Sequence, residues 1–260
     1  MELRRKASYF ILPSFVGLIY IFLYAPIIVF ILFSFNKNPY SLKWQGFTLS
    51  WYRDLIASEE VAEAIKNSMI VAFSAVFLSI TMAVFYVFYG LGNFLNRLTI
   101  IFYGSLVAPE IVLATCLLSV FSFLTMPLGI PALIAGHTLL GLAYVVPIIK
   151  SSYEEIDNKL IEASMDLGAT ESQTFYKIIV PILLPSIMSG ALLIMIISLD
   201  DFFISFFCSG AETLTLPMYI FSQVRTGATP IVNAISTLLM VVSSLLILLL
   251  TSFKIKTRFF

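Results

Sequence analysis

Long apolar runs separated by short polar segments set the pattern of this chain. A helix needs about 20 residues to cross the roughly 30 Å hydrocarbon layer of a bilayer. Six runs approach or exceed that length: Phe10–Phe35, Ser68–Tyr89, Leu98–Phe123, Pro131–Ile149, Ile182–Phe207 and Ala234–Phe253. The pattern predicts an all-α integral membrane protein with six transmembrane helices. The first, third and fifth runs are longer than a crossing requires, which predicts tilt, a break, or an end that leaves the bilayer.

Composition sharpens this reading. The 260 residues are 60% hydrophobic and 12% charged, whereas soluble domains are about a quarter charged. No segment of domain size remains outside the apolar runs, so residues 1–260 read as one transmembrane domain. The run after Met1 is longer than a signal-peptide core and lacks a small-residue cleavage site, so it is expected to stay as an anchor. Cys116 and Cys208 lie far apart in apolar surroundings and read as small core residues rather than a disulfide or metal pair.

Charge gives the orientation. Net charge is zero, which points to neither nucleic acid nor an acidic partner. With the N-terminus inside, ten of the 15 basic residues fall on inner segments: Arg4, Arg5, Lys6, Arg97, Lys150, Lys159, Lys177, Lys254, Lys256 and Arg258. Lys and Arg are held on the cytoplasmic side. Six crossings with both termini cytoplasmic satisfy that bias, and the turn carrying Arg97 alone is its weakest point. The first outer loop, Asn36 to Asn67, holds Trp44, Trp51 and Tyr52, residue types that anchor at membrane interfaces. Its polar stretch from Ser50 to Lys66 suits a surface helix.

The inner loop over 157–181 is the most informative segment. Asn158 is placed to cap a short helix with Leu160, Ile161, Ser164 and Leu167 on one side, and Gly168 supplies a left-handed residue to end it. Thr170 and Gln173 then form a capping box for a second helix, and Pro181 is expected to break the run. An amphipathic helix with an unburied apolar face suits a groove on another protein. It equally suits a loop folded onto the membrane surface, and the residues alone leave both open.

The same residues carry a resemblance. Glu162-Ala163-Ser164, Gly168 and Ile178-Ile179-Val180-Pro181 resemble the signature loop of permease subunits in type I ATP-binding-cassette importers, with Ser164 where that family usually has Ala. Asn67-Ser68 followed by Ala72 is similar to the start of the family's core helices. Within the family the resemblance is to permeases of spermidine and putrescine importers, and it covers nearly the whole chain. It includes Tyr24-Ala25-Pro26-Ile27-Ile28, Ser34-Phe35-Asn36, Trp44-Gln45-Gly46-Phe47-Thr48, Trp51-Tyr52, Ala108-Pro109-Glu110-Ile111-Val112 and Ser198-Leu199-Asp200-Asp201. This implies a MetI-like permease fold with a five-helix core over 64–253 and a peripheral first span. It implies that the loop holding Leu160, Ile161, Glu162, Ala163, Ser164, Leu167 and Gly168 couples to an ATPase. It also implies a second permease, two ATPase subunits and an extracytoplasmic polyamine-binding protein. No cofactor is then expected on this chain, with ATP and Mg²⁺ on the ATPase.

Glu110, Asp200 and Asp201 are the acids nearest the apolar runs, with no basic residue beside them. A carboxylate in lipid is costly and indicates a water-filled path or a partner. A polyamine is a chain of ammonium groups joined by methylenes, so its path needs spaced carboxylates and aromatic walls. Pro109 breaks the helix ladder next to Glu110 and frees carbonyls that can face a cation. At about 1.5 Å per residue, Glu110 and Asp200 lie roughly 18 and 27 Å along their spans, in the outer half. Asp200 and Asp201 cannot share one narrow pore unless the helix ends between them. Their alternative is a pair at the outer interface reaching water. By resemblance the substrate path takes Glu110, Ser198, Asp200 and Asp201, with Trp44 as a further candidate. His137, the only histidine, reads as a hydrogen-bonded structural residue.

No Gly-x-x-x-x-Gly-Lys phosphate loop occurs, so ATP hydrolysis is assigned to another chain and this one is not expected to be an enzyme. Two other transport readings remain: a different cargo for the same importer class, and an ion-coupled secondary transporter, for which the inner loop would have no purpose. A membrane-bound enzyme is disfavoured, since no His-Glu-x-x-His or Gly-x-Ser-x-Gly is present.

Overall fold

The computed structural model describes residues 2–38, 43–89, 100, 102–227 and 230–257, with side chains over 13–38, 43–89, 100, 102–227 and 230–248. Arg97, Arg258 and the start of the third run at Leu98 lie outside the described residues, as do the side chains of Arg4, Arg5, Lys6, Lys254 and Lys256. Contacts divide the chain into two units. One holds the residues up to Ser58 with Ile220–Val241; the other holds Glu59–Tyr219 with the chain from Val242 onward.

In the first unit, helix α1 (Glu2–Phe33) runs through Pro13 and Pro26. Its large apolar side chains, among them Phe15, Leu18, Phe22 and Leu32, are exposed, as a lipid-facing surface requires. The helix ends at Ser34, whose hydroxyl donates to Ile31 O at 2.6 Å and lies 2.7 Å from the Tyr52 hydroxyl. The fully buried Asn36 then organises the loop. Its Oδ1 accepts from Gln45 N at 2.9 Å, its Nδ2 donates to Lys43 O at 2.9 Å, and its carbonyl accepts from Trp51 Nε1 at 2.8 Å. Trp51 and Tyr52 therefore fasten this loop to the end of α1 rather than serving as free interface anchors. The expected surface helix over Ser50–Lys66 is only α2 (Ser50–Ala57). From Glu59 onward the polar residues already belong to the next helix.

The second unit starts with α3 (Glu59–Tyr89) and continues with α4 (Glu110–Phe123) and α5 (Ile130–Glu154). The inner loop forms α6 (Asn158–Asp166) and α7 (Glu171–Thr174), followed by a π-helical turn over Phe175–Ile179 and by α8 (Val180–Asp200). The unit continues with α9 (Phe203–Cys208); of the last two helices, α10 (Leu216–Thr226) and α11 (Pro230–Thr257), residues 220–241 belong to the first unit. Helices α3, α5 and α8 pack on one another. Lipid tails are as apolar as leucine, so such helices associate through close packing at small residues. Ala72, Ala75 and Ala83 of α3 are wholly buried. A Cβ on Gly141 would meet the Ser79 side chain and stand 3.1 Å from Ile194 Cγ2; one on Gly190 would stand 2.5 Å from Val145 Cγ2. Ser79 Oγ also donates to Thr138 O at 2.9 Å.

Five helices among the described residues are long and apolar enough to cross a membrane, within α1, α3, α5, the continuous helical stretch from α7 to α8, and α11. The third expected span is interrupted instead. Residues 102–107 are helical, Ala108 and Pro109 leave the helix, and α4 begins at Glu110. The fifth also falls short of its expected end at Phe207, because α8 stops at Asp200 and Asp201 turns to extended backbone (φ −69°, ψ 117°). Cys208 is buried as expected, whereas Cys116 is exposed on α4, and neither is in a disulfide.

Candidate functional site

The break after Asp200 separates the two neighbouring acids. Had α8 continued, Asp200 and Asp201 would project about 100° apart from one cylinder. With the chain extended at Asp201, Asp200 is exposed while Asp201 is buried at 7% exposure. Asp201 Oδ2 accepts from Ser205 N at 3.0 Å in the first turn of α9, where an anion complements the helix dipole. The break and the side-chain contact that anchors the start of α9 thus arise from the same residue.

His137 of α5 approaches from the other side and is 2% exposed. Its Nδ1 lies 2.8 Å from Ser198 Oγ, and its Nε2 lies 3.6 Å from Asp201 Oδ2. Ser198, itself buried, belongs to the last turn of α8, and Asp201 follows that helix directly. One ring therefore spans the break. The expectation of a hydrogen-bonded histidine is met, but its partners were not legible: a lone histidine in one apolar run and a Ser-x-x-Asp in another give no sign that they meet.

Glu110 is the first residue of α4 and is exposed, with Pro109 (φ −57°, ψ 133°) preceding it. It lies within electrostatic reach of Asp201, as does Asp200. Glu110, Ser198, Asp200 and Asp201 thus fall in one unit near two interrupted helices. Trp44 belongs to the other unit, where it is 52% exposed and meets Phe33 edge to face with ring centroids 6.4 Å apart. Among the described residues no group of three or more His, Cys, Asp or Glu is placed to hold a metal ion.

At the inner loop the helix, turn, helix unit is present with two corrections. The cap of α6 is Asp157, whose Oδ1 accepts from Lys159 N at 3.0 Å, and Asn158 is the first helical residue. Pro181 does not end the run. The π turn before it lets Val180 N donate to Phe175 O five residues back, so the helix passes into α8 with proline in its first turn, where its missing N–H costs least. Gly168 has φ +85°, and the Thr170–Gln173 capping box is formed.

The apolar residues of α6 do not share one fate. Ile161 packs on the core cluster around Phe175 and Ile179. Buried Ser164 donates to Ile161 O at 2.8 Å and lies 2.7 Å from Thr174 Oγ1, tying α6 to α7. Leu160, Met165 and Leu167 are exposed, Leu167 at 90%. Glu162, Ala163 and Gly168 are exposed as well. The free apolar surface is therefore Leu160, Met165 and Leu167.

A bundle of apolar helices with interrupted segments bearing acids, and a folded helical pair between two spans, defines a multi-pass membrane transport component. The chain belongs to the family of binding-protein-dependent transport system inner membrane components, which its residues 75–256 match. It is 38% identical over 248 residues to the spermidine/putrescine transport system permease protein PotC of Haemophilus influenzae, covering 94% of this chain and 96% of that one. It is 35% identical over 241 residues to PotC of Escherichia coli strain K12, with 90% of each chain covered. Among solved structures, a chain of a bacterial alginate ABC transporter in complex with an alginate pentasaccharide-bound periplasmic protein superposes with a TM-score of 0.73. It shares 17% identity, over 95% of this chain and 93% of that one. The fold is that of an ABC importer permease.

Proposed function

We propose that this chain forms half of a polyamine pathway in an ATP-driven importer, paired with a second permease and served by two ATPase subunits and an extracytoplasmic binding protein. The observation that carries this reading is the pair of exposed carboxylates at helix interruptions, Glu110 after Pro109 and Asp200 at the end of α8. Neither has an ion-pair partner among the described residues, which suits a transient cationic cargo. The names of the relatives from Haemophilus influenzae and Escherichia coli support spermidine or putrescine as that cargo. The charge bias of the loops supports six crossings with both termini cytoplasmic, the third made of two helical pieces.

In this reading the five-helix core spans 64–253 and the loop over 157–181 docks on the ATPase, which binds ATP and Mg²⁺. Leu160, Met165 and Leu167 enter its groove while Ile161 and Ser164 transmit the push to α7 and α8. Closure of the ATPase pair would draw two such loops together and rock the spans from inward to outward facing. Exposed Trp44 enters this reading by resemblance alone, and its edge-to-face contact with Phe33 is the local packing that orients it.

The test is uptake by cells making the whole complex. Asp200→Asn and Glu110→Gln should each lower polyamine uptake about tenfold at unchanged membrane level, the loss expected for one charge contact in a desolvated path. Normal uptake in both variants would sink the proposed pathway.

A further inference from the structure

The two acids at the end of α8 are adjacent in sequence yet differ in every physical respect. Asp200 is exposed; Asp201 is buried, fixed by the Ser205 N–H, and faced by an imidazole from another helix. Burying a carboxylate is expensive unless its environment supplies compensating groups. For Asp201, its own segment supplies the backbone N–H groups of Ser205 and Ile204, and the His137 ring stands 3.6 Å away. Only the ring comes from outside the α8–α9 segment.

We propose that His137 is a positioning residue that holds Asp201 inside the protein as the brace of the α8–α9 break, leaving Asp200 as the one carboxylate of the pair that meets cargo. The proposal rests on the cation-pathway reading for the role of Asp200, but the brace itself does not. The geometry is specific. Ser198 and Asp201 are three residues apart, the last turn of a helix and the first residue beyond it, and His137 reaches both with its two ring nitrogens at 2.8 and 3.6 Å. A neutral imidazole has one donor and one acceptor nitrogen. Nε2 has no hydrogen-bond partner and stands 3.6 Å from the Asp201 carboxylate, which favours a proton on Nε2 and leaves Nδ1 to accept from the Ser198 hydroxyl.

That polarity fixes Ser198 as well. Its hydroxyl proton is turned toward α5 rather than back to the carbonyl one turn earlier, so Ser198 ties the last turn of α8 to α5. A Ser, His and Asp in line also invite comparison with a hydrolytic triad. Here Ser198 and His137 are both buried, so the serine hydroxyl is closed to an incoming group. The same three side chains therefore make a bracket.

The bracket has a functional corollary. A carboxylate that touches cargo should respond to how many ammonium groups the cargo carries, whereas a brace should affect all cargoes alike. Uptake of spermidine and of putrescine is therefore measured in cells making the complete transport complex, at matched membrane levels. Asp200→Asn should shift the spermidine to putrescine ratio severalfold. Asp201→Asn and His137→Leu should each lower both rates about tenfold with the ratio unchanged. His137→Gln, which keeps a donor for Asp201, should retain about half the uptake or more.

Because His137 acts through Asp201, the double variant His137→Leu/Asp201→Asn should be no worse than either single change, while His137→Leu and Asp200→Asn losses should multiply. The proposal is overturned if Asp201→Asn shifts the cargo ratio as Asp200→Asn does, or if the His137 and Asp201 losses multiply. Should His137→Leu not reach the membrane, the same cycle with His137→Gln decides between coupling and independence. Unchanged uptake of both cargoes in Asp200→Asn would take Asp200 out of the cargo path, and in Glu110→Gln as well would remove the cation-pathway reading; a coupled His137–Asp201 brace stands in either case, so the two failures are distinguishable.

Discussion

Leu167→Asp is expected to reduce ATP-driven uptake more than tenfold while the chain still folds and reaches the membrane. Leu167 is the C-cap of α6 and is 90% exposed, so in this chain its side chain supports little that a charge could disturb. An exposed leucine at the tip of a helix is the kind of apolar anchor that enters a partner's groove, and truncating or charging such an anchor costs about 2 kcal/mol or more of association. The measurement is ATP hydrolysis by the reconstituted complex with and without cargo-loaded binding protein. Stimulation should vanish in the variant while the permease retains its normal melting behaviour. Full stimulation would mean that the exposed face of α6 does not couple.

The second large effect is expected inside the bundle. Gly141→Leu should cut the amount of folded protein in the membrane severalfold and lower its thermal stability in detergent. Even a single added carbon at Gly141 collides with Ser79 and presses on Ile194, so a leucine must push α5 away from both α3 and α8. Overpacking of this kind costs about 1–3 kcal/mol where the core can adjust. At a crossing where the adjacent Ser79 to Thr138 hydrogen bond is also lost, adjustment is poor. Gly17→Leu on α1 is the matched control, because nothing lies within 4 Å of a Cβ there. It should leave level and stability unchanged, and equal losses in the two variants would argue against a specific crossing at Gly141.

Much of this was legible in the sequence, for reasons that differ along the chain. Apolar runs longer than a crossing reveal helices because the bilayer imposes a length on them. The Thr170–Gln173 box and the turn at Gly168 were readable because caps act within a few residues. Pro109 likewise marked an interruption beside Glu110.

What the sequence hid depends on backbone register and on contacts between distant segments. Asn158 and Asp157 are both good cap residues, and only the helix start decides between them. Pro181 looked like a terminator because a proline within an α-helix loses a bond, but the π turn at Phe175–Ile179 absorbs that loss. The apolar face of α6 read as a single stripe, yet Thr174, ten residues further on, draws Ser164 and Ile161 inward. His137, Ser198 and Asp201 come together only once α5 lies against α8.

The π turn has one more consequence. An extra residue in a helical turn rotates everything on one side of it by about 100° relative to the other. The angular setting between the capping box at Thr170 and the carboxylate at Asp200 is therefore a phase, fixed by one surplus residue between Phe175 and Ile179. Deleting a residue there, or relaxing the turn to α geometry, would turn Asp200 and the rest of α8 by that angle relative to the capping box at Thr170.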